Sequence, residues 1–181
     1  MRRFLPISAF CALAMIGTLP SPAHAALESG AHAPDFTAKA SMAGHEFSYH
    51  LAEALKTGPV VLYFYPAAFT KGCTIEAHEF AEAVPEFKAM GATVIGISMD
   101  PIDKLTRFSV SECRSAFPVA ADPDGTVTNS YKAKMPLLHM ASRTSYVIAP
   151  DGHVAFSYAS MSPDGHVERT LAAVKALQAT H

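Results

Sequence analysis

Two continuous apolar runs stand out in the middle of the chain, separated by a segment with a helical pattern. The runs are Val60–Tyr65 and Thr93–Ser98, and both are rich in β-branched and aromatic residues. Runs of this length and composition are typical of strands buried on both faces of a sheet. Between them, residues 74–90 place apolar side chains every three or four positions, which predicts an amphipathic helix. Pro85 lies inside this segment and predicts a kink or a break.

The pattern of alternating elements continues to the C-terminus. The sequence Asp100-Pro101-Ile102-Asp103 predicts a helix start with an acidic N-cap, and this helix runs to about Cys113. The remaining predicted elements are a strand at 117–120, a helix at 126–132, strands at 144–148 and 153–158, and a helix at 166–179. A Pro-Asp-Gly turn between the last two strands predicts an antiparallel hairpin. Together these elements predict a thioredoxin-like α/β sandwich: a central mixed sheet with helices on both faces, ending in a β-hairpin plus helix.

The first 25 residues follow a different pattern. Arg2-Arg3 is followed by an apolar run at 4–19 and by the small residues of Ala23-His24-Ala25. This is the pattern of a secretory signal peptide. The alternative is a membrane anchor or a buried helix, but the run is short and interrupted for a span of about 20 residues. The prediction is cleavage after Ala25, a single domain at 26–181, and a periplasmic or secreted location.

Charge and cysteine content narrow the function further. Removing Arg2-Arg3 from the 14 basic residues leaves 12 against 16 acidic residues, a net charge of −4 with histidines neutral. A mildly acidic chain without a later apolar span predicts no nucleic-acid partner and no membrane partner after signal cleavage. With Cys11 removed, Cys73 and Cys113 remain. In an oxidising compartment, two cysteines could form a structural disulfide.

The residues around Cys73 indicate a reactive thiol rather than a structural disulfide. Cys73 follows a predicted buried strand and stands near a helix start, in the pattern Pro66-x-x-x-Thr70-x-x-Cys73. Unpaired N–H groups and the helix dipole stabilise a thiolate at such a position, and the thiolate is the nucleophilic form. Thr70 can hydrogen-bond the sulfur or a bound oxygen, and Pro66 ends the strand and shields the site. The alternative is a cysteine that merely fills the core.

These residues resemble a known family. Pro66, Thr70 and Cys73 match the active-site motif of the peroxiredoxins, and Arg143, just before a late strand, stands where that family carries its active-site arginine. Tyr-Phe-Tyr-Pro before the motif and Gly-Cys-Thr-x-Glu-Ala within it resemble the bacterioferritin-comigratory (peroxiredoxin Q) group. The resemblance covers essentially all of residues 26–181.

The resemblance implies a thiol peroxidase without a cofactor. Cys73 would attack hydrogen peroxide or an organic hydroperoxide to become a sulfenic acid, and Arg143 would stabilise the thiolate and the leaving oxygen. Glu76 would orient Arg143, although a solvated acid in the first helical turn is an alternative. The implied partners are the peroxide and a thiol reductant, either a thioredoxin-like protein or a small thiol. The implied assembly is a monomer or a homodimer.

One departure from the group leaves open which thiol reacts with the sulfenic acid of Cys73. Many members carry a second, resolving cysteine five residues after the first, where this chain has His78. Another subset carries it in the next helix, where Cys113 is a few residues beyond the aligned position. Cys113 is therefore the candidate resolving residue. The alternative is a buried Cys113 and an external thiol that recycles the enzyme.

Two rival functions use the same fold. A thiol–disulfide exchange protein would need Cys-x-x-Cys, but Cys73 is followed by Thr74-Ile75-Glu76. A copper-delivery protein would need two closely spaced thiols near a late histidine, and Ala77 stands where the second thiol would be. Soft ligands for copper also occur in the loop with Met135, His139 and Met140. That loop also contains two leucines, so packing in the core or at an interface is the preferred interpretation. The sequence predicts no metal site.

Overall fold

A seven-stranded mixed sheet forms the centre of the molecule in a computed structural model that describes residues 26–179. The strands are β1 (Thr37–Met42), β2 (His45–His50), β3 (Val60–Phe64), β4 (Thr93–Ser98), β5 (Val119–Ala121), β6 (Thr144–Ile148) and β7 (Val154–Ala159). The helices are α1 (Leu51–Leu55), α2 (Lys71–Ala89), α3 (Ile102–Ser111), α4 (Thr126–Ser130) and α5 (His166–Gln178). The predicted signal peptide lies outside the described residues. Within them, no helix is long and apolar enough to cross a bilayer.

The order of strands across the sheet is β2-β1-β5-β4-β3-β6-β7. The three central strands β3, β4 and β5 are parallel, whereas β6 runs antiparallel to both β3 and β7. At the other edge, β1 runs antiparallel to β5 and to β2. The predicted fold, a thioredoxin-like mixed sheet that ends in a hairpin and a helix, is confirmed.

Each face of the sheet buries its own hydrophobic cluster because side chains alternate along a strand. In β3, Leu62 and Phe64 face the cluster covered by α1 and α4, whereas Val61 and Tyr63 face the cluster covered by α2, α3 and α5. All five residues of β3 are buried. This double burial explains the unbroken apolar run in the sequence.

The predicted helix after β3 needs two corrections. α2 begins at Lys71, three residues earlier than predicted, and it continues through Pro85 without the predicted break. Val84 and Phe87, on either side of the proline, are both buried. Their packing holds the helix together across the position where the proline lacks an N–H.

The hairpin β1–β2 and helix α1 have no counterpart among the predicted elements. β2 is an edge strand with four of its six residues exposed, and its only apolar residues are Phe47 and Tyr49, so its alternation is too short to stand out in the sequence. The turn between the strands is Ala43-Gly44, with φ of 52° and 82°. A two-residue turn with both φ positive favours Asn or Asp before Gly, so alanine at its first position hides the turn signal.

The helix that follows β4 also differs in detail from the prediction. α3 begins at Ile102 with Pro101 as its N-cap, so Asp100 lies outside the helix and is not its cap. The helix ends at Ser111, and Cys113 therefore lies in the turn beyond it.

Candidate active site

Strand pairing brings Arg143 to the loop that follows β3. Thr144, the first residue of β6, pairs with Phe64, the last residue of β3. Because the two strands are antiparallel, Arg143 lies beside the 65–70 loop. α2 begins directly after this loop, so Arg143 and the first turn of α2 share one edge of the sheet.

Cys73 is the third residue of α2, and only 1% of it is exposed. Thr70 is the N-cap, and the Thr74 N–H donates to the Thr70 carbonyl at 2.9 Å, which begins the helical ladder. The amides of residues 71–73 precede that ladder, and the positive end of the helix dipole lies at the thiol. Both features favour a thiolate.

The guanidinium of Arg143 reaches the sulfur of Cys73, with Nη2 at 3.5 Å from Sγ. Its Nη1 donates to Oε2 of Glu76, and its Nε donates to the Met161 carbonyl at 3.2 Å. Only 4% of the residue is exposed. Burial acts to lower the pKa of Arg143, but the charges of Glu76 and Cys73 outweigh this effect and raise it. A fixed cation therefore stands beside the thiol.

Glu76 lies in α2 almost one turn after Cys73 and is fully buried. Burial raises the pKa of Glu76 to about 8, although the charge of Arg143 and its hydrogen bond act in the opposite direction. The alternative of a solvated acid is wrong. The structure instead brings Glu76 and Cys73 into contact with the same guanidinium, that of Arg143.

Thr70 and Pro66 are both more exposed than Cys73. Thr70 is exposed, and its Oγ1 donates to the Ala67 carbonyl at 2.9 Å, which leaves the oxygen lone pairs able to accept. Pro66 is half-buried and follows Tyr65, whose N–H donates to the Ile97 carbonyl at 3.0 Å. Because proline has no N–H, sheet hydrogen bonding of this strand ends there. Contact of Thr70 with a bound peroxide stays a prediction.

Asp100 anchors the loop between β3 and α2, a role that the sequence analysis missed. Its Oδ2 accepts from the Ala68 N–H at 2.7 Å and from Ser98 Oγ at 2.9 Å. Its Oδ1 accepts from Lys104 Nζ at 2.7 Å. The available signal was position, because residues just past the ends of adjacent parallel strands meet at one sheet edge.

Cys113 is fully buried, and neither it nor Cys73 is in a disulfide. Burial raises the pKa of the Cys113 thiol. The next two residues, Arg114 and Ser115, have φ of 49° and 54°, a region that L side chains occupy at a cost. The turn that carries Cys113 is therefore locally strained.

Two side-chain contacts join the turn around Cys113 to α2. Glu112 contacts Nε2 of His78 at 3.0 Å, and Arg114 contacts Glu82 at 2.9 Å. His78 is thus a helix residue that pairs with a neighbouring element. We call these two contacts the α2 latch.

Of the two uses predicted for the methionine-containing loop, packing at an interface stays a prediction, whereas its two leucines are not in the core. Leu137 and Leu138 are exposed, so the core alternative is wrong for them. The Met135 N–H donates to the Met140 carbonyl at 3.1 Å, and His139 Nε2 lies 3.0 Å from the Pro123 carbonyl. Across residues 26–179, no group of three or more His, Cys, Asp or Glu side chains could hold a metal ion.

Comparison with known proteins identifies the family. The sequence model of the AhpC/TSA family matches residues 29–157. The chain belongs to the AhpC/TSA family. The chain is 39% identical over 132 residues to a Mycobacterium tuberculosis protein named as a peroxiredoxin. This alignment covers 71% of the chain and 85% of the relative.

Two further relatives indicate the subgroup of the family to which the chain is similar. It is 32% identical over 176 residues to the chloroplastic peroxiredoxin Q of Oryza sativa subsp. japonica, covering 88% of this chain and 79% of the relative. The crystal structure of peroxidoxin BcpB from Mycobacterium tuberculosis matches with a TM-score of 0.76 and 35% identity, covering 83% of this chain and 98% of that one. The predicted resemblance to the bacterioferritin-comigratory and peroxiredoxin Q group is confirmed.

Proposed function

We propose that the chain is a thiol peroxidase that reduces hydrogen peroxide, and organic hydroperoxides that can reach the sulfur. The Cys73 thiolate attacks one peroxide oxygen, and the O–O bond breaks. The other oxygen leaves with the bonding electron pair, takes up a proton, and is released as water or an alcohol. Cys73 is oxidised to the sulfenic acid. The observation that carries this proposal is the 3.5 Å contact between Arg143 Nη2 and Cys73 Sγ at the start of a helix.

The neighbouring groups have distinct roles in this step. Arg143 stabilises negative charge first on the sulfur and then on the departing oxygen. The Cys73 N–H and the Thr70 hydroxyl hold the peroxide in line with the sulfur, and Pro66 limits access of water. Mass spectrometry after one equivalent of hydrogen peroxide tests the step directly. One oxygen atom should be added to the Cys73 peptide, or a disulfide at Cys73 should form; an unmodified Cys73 contradicts the proposal.

Asp100→Ala is expected to slow the peroxide step although Asp100 does not touch the sulfur. The variant leaves the Ala68 N–H without its acceptor, so the 65–70 loop can shift by a fraction of an ångström. A displacement of about 1 Å can cost about a hundredfold in rate, so we expect a loss of about ten- to a hundredfold. Stopped-flow measurement of peroxide consumption tests this.

Asp103→Ala is the matched control for this experiment. Asp103 lies three residues later, in the first turn of α3, is exposed, and pairs only weakly with Arg107 at 3.8 Å. It should react at the wild-type rate. Equal rates in the Asp100 and Asp103 variants would show that the loop needs no anchor.

We infer that Cys113 resolves the sulfenic acid within the same chain. Its thiol would attack the Cys73 sulfur, a disulfide would form, and water would leave. A buried thiol cannot do this from its present position, so the turn around Cys113 must open. Two features favour opening: two strained residues in the turn, and the exposed Arg114–Glu82 ion pair, which is worth only about 0–1 kcal/mol.

Weakening the α2 latch should therefore speed disulfide formation. Arg114→Ala removes the contact with Glu82 and is expected to raise the rate of Cys73–Cys113 cross-linking by about two- to fivefold, the equivalent of about 0.5–1 kcal/mol. Non-reducing peptide mapping over time after peroxide treatment measures it. Arg107→Ala, an exposed arginine on α3, is the control.

The opposite result would identify a one-cysteine enzyme. In that case no Cys73–Cys113 peptide appears, and Cys113→Ser turns over as fast as wild type with a small dithiol.

The chain is proposed to act outside the cytoplasm as a monomer or homodimer, with a thioredoxin-like protein or a small thiol as reductant. The support for export is the pattern of residues 1–25. Protein recovered from cells should begin at Ala26 on N-terminal sequencing. A cytoplasmic product that still begins at Met1 would refute export and leave the peroxidase proposal intact.

A further inference from the structure

A buried histidine lies behind the active-site arginine. His166 is the first residue of α5, follows Gly165, and is fully buried. Its ring packs edge-on against Tyr158, with the ring centroids 4.7 Å apart. A histidine seldom serves only to fill a core, because both of its ring nitrogens need hydrogen-bond partners when they are buried.

The hydrogen bonds of His166 fix its protonation. Nε2 lies 3.1 Å from the Ser160 carbonyl, which can only accept, so Nε2 carries the proton. Nδ1 lies 2.8 Å from Ser145 Oγ and therefore accepts from that hydroxyl. Burial lowers the pKa of His166 to about 4, so the ring is neutral at physiological pH.

Through Ser160 and its neighbour, His166 holds the backbone that binds Arg143. The Ser160 N–H donates to the Arg143 carbonyl at 3.2 Å, and the Met161 carbonyl accepts from Arg143 Nε at 3.2 Å. The segment 160–161 thus contacts both the main chain and the side chain of Arg143. The histidine bond to the Ser160 carbonyl secures this segment from the inside.

His166 also closes the other side of the Glu76 carboxyl group. Glu76 Oε2 binds Arg143, while Oε1 is buried and, within residues 26–179, has no hydrogen-bond partner. The nearest ring nitrogen of His166, Nδ1, is 3.8 Å from this Oε1. The Glu76 carboxyl group therefore lies between the imidazole of His166, on its Oε1 side, and the guanidinium of Arg143, on its Oε2 side.

We propose that His166 is a positioning residue that holds Arg143 against Cys73, through the 160–161 segment on one side and through Glu76 on the other. This inference rests on the proposed peroxidase function, because it concerns the same site. It assigns no contact between His166 and the peroxide.

Three substitutions separate the two routes. His166→Phe fills the space but loses both nitrogens, and it should slow the reaction of Cys73 with hydrogen peroxide about ten- to a hundredfold. His166→Gln offers an amide N–H near the Nε2 position and His166→Asn a polar atom near the Nδ1 position. Each should recover part of the lost rate. His45→Gln, an exposed histidine on β2, is the control and should match wild type.

A double-mutant cycle with Arg143→Ala shows whether His166 acts through the arginine. If it does, His166→Phe causes no further loss in the Arg143→Ala background, within about twofold, the usual error of such cycles. A purely structural role predicts that the two losses multiply. Multiplied losses, or wild-type rates in all three His166 variants, would overturn the proposal.

Two checks keep this result separate from failures of folding or of the proposed function. Circular dichroism and thermal unfolding are recorded for every variant, and if His166→Phe does not fold, the Gln and Asn variants carry the cycle. If the wild-type protein consumes no peroxide, the proposed function fails. The same cycle is then read from the rate of Cys73 alkylation by iodoacetamide, which requires the thiolate but no peroxide.

Discussion

Cys73→Ser is expected to abolish peroxide consumption, with a fall of about a thousandfold or more. Serine differs by one atom, but its hydroxyl is hardly ionised at neutral pH and is a far weaker nucleophile than a thiolate. No nearby group could replace the sulfur, since Cys113 is the only other cysteine among residues 26–179 and is fully buried. The measurement is the loss of hydrogen peroxide in the presence of a small dithiol.

The Cys113→Ser variant is the control for this experiment because it keeps the attacking sulfur. It should form the sulfenic acid at the wild-type rate even if its turnover is slower. Circular dichroism should show both variants folded, since each change conserves shape at a buried site. Substantial peroxidase activity in Cys73→Ser would mean that the nucleophile has been assigned wrongly.

The elements predicted most accurately are those that the fold buries on both faces. β4 and β6 have the bounds that the sequence predicts, and β3 differs by one residue. Both faces of each of these strands are buried, so apolar and β-branched residues predominate and local composition alone identifies the strand. β1 and β2 are held by pairing at the sheet edge, an interaction that leaves little trace in their own sequence.

The residues of the site likewise fall into those that the sequence predicts and those that it does not. Cys73, Thr70 and Pro66 lie within one short segment, so their spacing could be recognised, and Arg143 was found because it resembles a family position. Asp100 and His166 act through contacts that span tens of residues in sequence. Only the pairing of strands and the placement of α5 bring such residues to the site, and neither is encoded in a local pattern.

Arg143→Ala should slow the peroxide step by about a hundredfold or more, the usual cost of removing one charged donor from a reacting oxygen or sulfur. The variant also leaves the Glu76 carboxyl group buried without its hydrogen-bond partner, so the stability of the fold should fall. Arg143→Lys should recover only part of the rate. One ammonium group cannot reach the Cys73 sulfur, the Glu76 carboxylate and the Met161 carbonyl with the fixed geometry of a guanidinium.

Gly72→Ala tests the position of the guanidinium without removing its charge. A methyl group at Gly72 would lie 3.1 Å from Arg143 Nη2, closer than ordinary van der Waals contact, so the guanidinium must move by a few tenths of an ångström. Alanine is favoured over glycine inside a helix by about 1 kcal/mol, so α2 itself should not be weakened. We therefore expect a stable protein whose reaction with peroxide is about tenfold slower. A wild-type rate in Gly72→Ala, together with a large loss in Arg143→Ala, would show that the charge matters and its exact placement does not.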